Sequence, residues 1–421
     1  MNNLFIKSLL ILNSFFLSLL PITLIVGPAA ADINICLVGL IFLIILIIDR
    51  EKILFFKNKI IIFLFIFYVY ILLISLFSAN ILLSLQSSLF YFRFIFFILS
   101  IQFIIVYNKK IYRLLFFTFF FSFSILIFDS FFQYFKGYNT LGYVYDGIRL
   151  SSFFNEEKIL GSYLSRLTPI FLGFIVMLYG NSRNKIILSL ILVILIDILV
   201  VLSGERTSIF YMFFSTFLIL IMIEKWKIYR LTAFVISLVL ATLIIVFNSS
   251  VRERVLDKTI DQINIYGEKI NTFSIQHQVI YSTAIKIAKD NLVLGIGPKN
   301  FRNVCKQEKY KTYTDLDQSI DGCQTHPHNT YIQILTETGI IGLVFIISFY
   351  LYITYLLLKH IYLKFIHKTY LISDHNICFI IAIYINIWPF VPTGSFFNNW
   401  LSIIYFLPLG LTLHLFNNNK Y

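Results

Sequence analysis

Two histidines flank a proline in Thr325-His-Pro-His-Asn329, where a long polar stretch, roughly Asn248–Thr330, returns to an apolar run. An imidazole titrates close to working pH and is the ordinary general base for a hydroxyl. His328 directly follows Pro327 and immediately precedes the apolar run, which makes it the first candidate base, with His326 as a supporting hydrogen-bonding group. Positions two apart in an extended segment face the same way. Arginines at other points of the chain supply the complementary chemistry: Arg206 in the short turn Ser203–Thr207, then Arg149, Arg166 and Arg93. A guanidinium is a permanently charged planar fork that matches phosphate oxygens two at a time. Glu156, Glu157 and Glu337 are further bases or orienters of an imidazole. Each of these residues also has a plainer role open to it, as a packing histidine, an interfacial anchor or half of an ion pair. Asn329 fits a helix cap better than a catalyst.

The elements that must hold these groups are membrane helices. Of 421 residues 59% are apolar, 18% aromatic and only 13% charged, against about a quarter charged in soluble proteins. Many runs reach the roughly 20 residues that cross a bilayer core. The class is an all-α polytopic membrane protein, with twelve spans: Phe5–Val26, Ala29–Ile48, Ile60–Phe77, Leu85–Val106, Leu114–Phe135, Ile159–Tyr179, Ile186–Leu202, Ser208–Ile223, Leu231–Phe247, Thr330–Leu357, Leu371–Phe390 and Phe397–Leu415. The net charge of +13 is not a nucleic-acid signature. Its lysines and arginines gather in alternate loops (Lys57 and Lys59, Lys109 to Arg113, Arg183 and Lys185, Lys225 to Arg230, Lys359 to Lys368), whereas the loops near Gly27, Ala79 and Pro392 have none. The positive-inside rule then places both termini in the cytoplasm and every unusual polar stretch outside. Span one ends in Gly27-Pro-Ala-Ala-Ala31, which resembles a signal-peptide cleavage site, but its apolar run is long for a signal peptide.

Three parts follow: residues 1–247 with nine spans, an outer loop domain over 248–329 between spans nine and ten, and residues 330–421 with three spans. Arg93, Asp129, Arg166, Asp197 and Glu337 fall in the outer halves of their spans, about 7–15 Å deep at helical rise. Intramembrane charges normally face a bundle interior or wet cavity, and five at one depth predict a single outward-open cavity. In the loop domain, Ser274–Asn291 reads as an amphipathic helix with Ile280, Ala284, Ile287 and Ala288 on one side. Gly295-Ile-Gly-Pro298 ends it as a turn; no strand precedes it and no third glycine follows, so it is not a dinucleotide fingerprint. Cys305, Cys323, His326 and His328 contain the donors of a zinc site, but the cysteines are too far apart for the paired-ligand turn. Outside the cytoplasm a Cys305–Cys323 disulfide is the simpler expectation.

Gly295-Ile-Gly-Pro-Lys-Asn-Phe301, His326-Pro-His-Asn-Thr-Tyr-Ile-Gln333, Glu337-Thr-Gly-Ile-Ile-Gly342 and Ser203-Gly-Glu-Arg-Thr-Ser208 together resemble the shared core of the O-antigen ligase and polymerase superfamily. Arg149-Leu-Ser-Ser-Phe-Phe-Asn-Glu-Glu157, with Gly161 and Pro169, resembles the preceding outer loop of that family. The resemblance spans roughly residues 140–345. It implies a metal-independent glycosyltransferase of the bacterial inner membrane that needs no cofactor. Such an enzyme moves a glycan from undecaprenyl diphosphate to an acceptor hydroxyl at the periplasmic face. It further implies that Arg206 holds the diphosphate and that a histidine of the His326/His328 pair serves the acceptor. Family ligases commonly carry another arginine at the start of the loop helix; here the residues are Gln276-His-Gln278, and His277 is the donor available.

Within that class the acceptor is lipid A-core for a ligase or the growing lipid-linked glycan for a polymerase, and the single compact outer domain favours the ligase. Protein O-glycosylation by a related enzyme belongs to the same class. A transporter of lipid-linked glycans is the alternative from another class. It would bring internal repeats and binding groups near the midplane, whereas here the charges sit in the outer halves and no repeat is apparent. An envelope scaffold is the third, and it predicts no loss of activity on substituting His328 or Arg206.

Overall fold

The computed structural model describes residues 4–49, 56–180, 182–264, 273–312 and 321–416. Its regular structure is helical; the only strand-like pairing among these residues is an isolated bridge between Tyr138 and Val144. Each of the twelve expected spans coincides with helix, but they do not all qualify as spans by length. Eight helices are long and apolar enough to cross a membrane, or nine if the bent pair Leu4–Ser18 and Leu20–Val26 is one span. Lys59–Ser75 and Arg206–Met222 are shorter apolar helices of 17 residues, and Asp374–Asn386 has only 13. The deficit has local causes. Pro21 bends the first segment by 45°, and the Asp374–Asn386 helix ends before Pro389 and Pro392.

Leu160–Tyr179, Asp374–Asn386 and Asn399–Thr412 form the middle of the bundle and are buried on nearly every face, mostly by apolar side chains, with Arg166 and Asn386 among the polar ones. Small residues let them approach. A Cβ on Gly173 would lie 2.5 Å from the Phe379 ring, and one on Gly410 would lie 2.6 Å from Ile101. Outer helices turn apolar side chains such as Ile47, Phe121, Phe128 and Val239 outward, which is the surface a bilayer requires.

The segment between Phe247 and Thr330 has a small core of its own, built from Ile280, Ala284, Ile287, Ile296, Phe301 and Val304. Its helix runs Ile275–Asp290, capped by Ser274, with Ile280, Ala284, Ile287 and Ala288 all buried. Cys305 and Cys323 are bonded, with Cα atoms 5.1 Å apart. The basic Lys225–Lys227 turn lies at the opposite end of the Lys227–Phe247 helix from this segment's attachment at Phe247.

A break in the Thr330–Tyr362 helix anchors that segment to the bundle. Gly339 has φ 68° inside the helix, and the turn Leu292–Gly297 enters there. Ile340 N donates to Leu292 O at 2.8 Å, while Ile296 N and Gly297 N donate to Thr336 O and Glu337 O at 3.1 and 2.8 Å. No other residue fits, because a Cβ on Gly339 would lie 2.1 Å from Val293 O. The two sequence motifs Gly295-Ile-Gly-Pro298 and Glu337-Thr-Gly339 are thus the two halves of one joint.

Candidate functional site

Arg206 owes its position to its neighbour. Glu205 is buried, and its carboxylate accepts from Gly161 N at 2.8 Å, Ser162 N at 3.1 Å, Ser162 Oγ at 2.7 Å and Ser208 Oγ at 3.0 Å. A carboxylate at the first turn of Leu160–Tyr179 suits the positive end of that helix. Burial pushes the Glu205 carboxyl up, and these bonds hold it back. Gly161 is needed because a Cβ there would lie 2.3 Å from Ser203 Oγ. The joint fixes Arg206 at the first residue of Arg206–Met222, with Nη1 3.4 Å from Thr259 Oγ1.

Arg149 straps the 137–158 loop to this turn, donating from Nε to Ser203 O (3.2 Å) and from Nη2 to Lys158 O (2.8 Å). It approaches Glu205 at 4.0 Å. Arg166 is 2% exposed. Its guanidinium donates to Asn386 Oδ1, to Thr393 Oγ1 at 3.1 Å and to Tyr211 OH at 3.4 Å, and lies over the Tyr211 ring. No carboxylate among the described residues pairs with it, and its Nε is buried without a partner.

The histidines sit opposite. His328 has φ 55°, a left-handed conformation that costs a residue with a Cβ about 1–2 kcal/mol. Thr393 N donates to its carbonyl at 2.9 Å, and Asn329 beside it caps the next helix by accepting from Tyr331 N and Ile332 N. Strain held by surrounding bonds is typical of functional positions. The His326 and His328 rings are 4.0 Å apart between centroids, and His277 and His328 5.8 Å. Ser274 Oγ lies 2.6 Å from His277 Nδ1, fixing that ring. Burial lowers all three imidazoles. His277 falls to about 4, helped by His328 and Arg206; His326 falls to about 3, helped by His328 and Arg302; His328 also lies below its ordinary value. Burial thus disfavours the charged form of all three imidazoles, and Arg206 and Arg302 add to it at His277 and His326.

These groups line two neighbouring lobes. The first, about 640 Å³, is bordered by Arg149, Arg166, Arg206, Arg254, His277 and His328, with Glu205 its only acid among the described residues. The second, about 650 Å³, is bordered by Arg302, His326, Glu157, Phe153, Trp400 and the Leu24–Pro28 bend. Ser162, Arg166, His328 and Gly394 border both. Such a cavity can hold an anion against fixed cations, with an imidazole at the boundary to a second compartment.

Residues 190–347 match the family model described as O-antigen ligase. The match supports the O-antigen ligase and polymerase superfamily. It supports a transferase in general, in a chain whose helices mark a multi-pass membrane protein. No match was found among curated proteins. The O-antigen ligase region includes Arg206, Arg254, His277, Arg302, His326 and His328, but not Arg149 or Arg166.

The expectation that five intramembrane charges share one cavity is not met. Only Arg166 lines the lobes. Arg93 pairs with Asp32 at 2.8 Å in a separate cleft. Asp197 pairs with Arg230 at 3.0 Å and accepts from Ser237. Asp129 is spent on Thr140, Asn139 and Ser152, anchoring the 137–158 loop. Glu337 is buried beside the Gly339 joint, accepting from Gln333 Nε2 and Phe301 N, and borders neither lobe. Glu156 is exposed and borders neither, whereas its neighbour Glu157 borders the second. Two cations that sequence reasoning passed over are Arg254 and Arg302. Both have a buried Nε without a partner. Arg302 stands next to the Gly295–Phe301 motif, and that adjacency was the available signal.

Proposed function

We propose that the protein is an inner-membrane glycosyltransferase that moves a glycan from undecaprenyl diphosphate to an acceptor hydroxyl at the periplasmic face, as an O-antigen ligase acting on lipid A-core. The observation that supports this is the charge balance of the first lobe: among the described residues, four arginines line it against one carboxylate that already accepts four hydrogen bonds. Arg166 in particular is a buried cation with no acid paired to it among the described residues. Burying an uncompensated charge is costly, and a diphosphate compensates it.

The donor diphosphate occupies the first lobe, on Arg206, Arg149, Arg166 and Arg254, with His277 as a further hydrogen-bond donor. The acceptor enters the second lobe, where Trp400 and Phe153 offer flat apolar faces to sugar rings and Arg302 meets a phosphate or carboxylate. The acceptor oxygen attacks the anomeric carbon, the bond from that carbon to the diphosphate oxygen breaks, and the acceptor proton passes to His328. Guanidinium groups meet the charge that develops on the leaving diphosphate. His326 steadies the acceptor hydroxyl or His328. Loop charges support cytoplasmic termini and an outward-facing site, and the compact segment before Thr330 favours ligase over polymerase.

The test is reconstitution of the purified protein with lipid-diphosphate glycan, with lipid A-core added or omitted. A ligase yields glycan-capped lipid A-core only when the acceptor is present. Longer lipid-linked chains without acceptor identify a polymerase, and movement of intact donor across the bilayer without transfer identifies a transporter and ends the proposal.

A further inference from the structure

A second cleft lies apart from both lobes, between the helices Pro28–Ile48 and Arg93–Tyr107 and the Ile81–Phe92 segment. It measures about 430 Å³. Its polar lining is Asp32, Gln86, Ser87, Arg93, Lys299 and Asn399, and its apolar lining includes Gly39, Leu40, Leu43 and Phe96. The apolar lining opens sideways, since Leu40 is 54% and Phe90 56% exposed on the face that meets lipid.

The polar lining is short of negative charge. Asp32 is its one acid, and it is engaged by Arg93 Nε at 2.8 Å. The other arginine nitrogens donate to Phe90 O and Asn399 Oδ1, both at 2.8 Å. Among the described residues no acid lies within ion-pair distance of the Lys299 ammonium and no acceptor hydrogen-bonds it; the nearest acid that acts on it is the buried Glu337 of the Gly339 joint. It is held in place at φ 62°, directly after the Gly295–Pro298 turn that docks at Gly339. Burial and then Arg302 lower its affinity for the proton, the nearby Glu337 carboxylate partly offsets them, and Arg93 lowers it further. A membrane-facing groove with an apolar floor and an unmatched cation at its rim has the chemistry of an amphiphile with an anionic head.

We infer that this cleft is a binding site for an anionic diacyl phospholipid of the surrounding bilayer, its phosphate on Lys299 and Arg93 and one acyl chain along Gly39, Leu40 and Leu43. Such a lipid would brace the Lys299 turn, and with it the joint that positions the segment bearing His326 and His328. The site takes no part in the transfer chemistry, so it stands or falls independently of the glycosyltransferase proposal.

The experiment is native mass spectrometry of the delipidated full-length protein titrated with phosphatidylglycerol, phosphatidylethanolamine or inorganic phosphate. Lys299→Gln, Lys299→Arg and Arg206→Ala are run beside the natural sequence. One phosphatidylglycerol is expected to be retained in preference to phosphatidylethanolamine. Lys299→Gln weakens that retention about fivefold, while Lys299→Arg and Arg206→Ala keep it. Inorganic phosphate does not displace the lipid. Equal retention of both lipids, equal retention by Lys299→Gln, or loss in Arg206→Ala would each overturn the assignment.

Discussion

Replacing Arg166 by glutamine separates a functional cation from a structural one. The guanidinium donates three hydrogen bonds, to Asn386, Thr393 and Tyr211, and stacks on Tyr211. Losing these costs roughly 1.5–3 kcal/mol per bond to a charged group at the upper end. Against that loss stands the relief of an unpaired buried charge, which is worth several kcal/mol. Glutamine also keeps a donor for Asn386 or Thr393. The two contributions nearly cancel, so the thermal unfolding of the empty protein in detergent should move little, by no more than about 1–2 kcal/mol. Transfer should not be spared. One fixed donor to a developing anion in a water-poor site is worth about 2.7–4 kcal/mol, or 10²–10³ in kcat. The assay is glycan transfer in proteoliposomes, normalised to folded protein. A variant that unfolds much more easily yet transfers at full rate per folded molecule would show that Arg166 is a structural tie, and the charge-balance reasoning would fail with it.

Gly339→Ala should destabilise by about 3–5 kcal/mol, from the left-handed backbone and the three hydrogen bonds of the joint; protease resistance of the 273–312 region reads it, and resistance equal to the natural sequence would refute the joint. Because burial lowers His328, His277 and His326, the neutral base persists as pH falls, and the acid limb of kcat/KM should lie below 6.5; a limb at or above that value contradicts the field described. Diphosphate binding adds negative charge beside the rings, so the acid limb of kcat should lie above that of kcat/KM. Serine at Cys305 and Cys323 removes a closure of 18 residues, about 3 kcal/mol in the chain-entropy model; unfolding of the loop segment should come earlier, and an unchanged transition would show that the bond contributes nothing there.

Much of the layout could be read from the residues. Apolar runs gave the helices, and Ile280, Ala284, Ile287 and Ala288 gave the buried face of Ile275–Asp290, since a period near 3.6 needs no tertiary knowledge. The alternation of loop charge likewise needs only counting. What depth along a span does not reveal is azimuth and partner. Counting along the spans puts Arg93, Asp129, Asp197 and Glu337 level with Arg166, yet each meets a different neighbour, and Asp197 bonds Arg230, which the same counting put in an inward loop. Asp197 meets Arg230 because Arg183–Leu202 and Lys227–Phe247 pack side by side, a contact no spacing encodes. The role of Glu205 was hidden for a related reason: its partners Gly161 and Ser162 lie more than 40 positions away. The left-handed φ of His328 was not legible either, because even histidine, which is enriched there, adopts it only in a small minority of positions.

The central claim is that separate arginines and an imidazole act on one lipid diphosphate. It is tested most directly by titrating undecaprenyl diphosphate against the natural protein, Arg206→Ala and His328→Ala, and measuring glycan transfer in the same samples. Arg206→Ala should lose both donor affinity and transfer, whereas His328→Ala should bind donor with nearly natural affinity and transfer at least a hundredfold more slowly. Natural donor affinity in Arg206→Ala, or full transfer by His328→Ala, would contradict it.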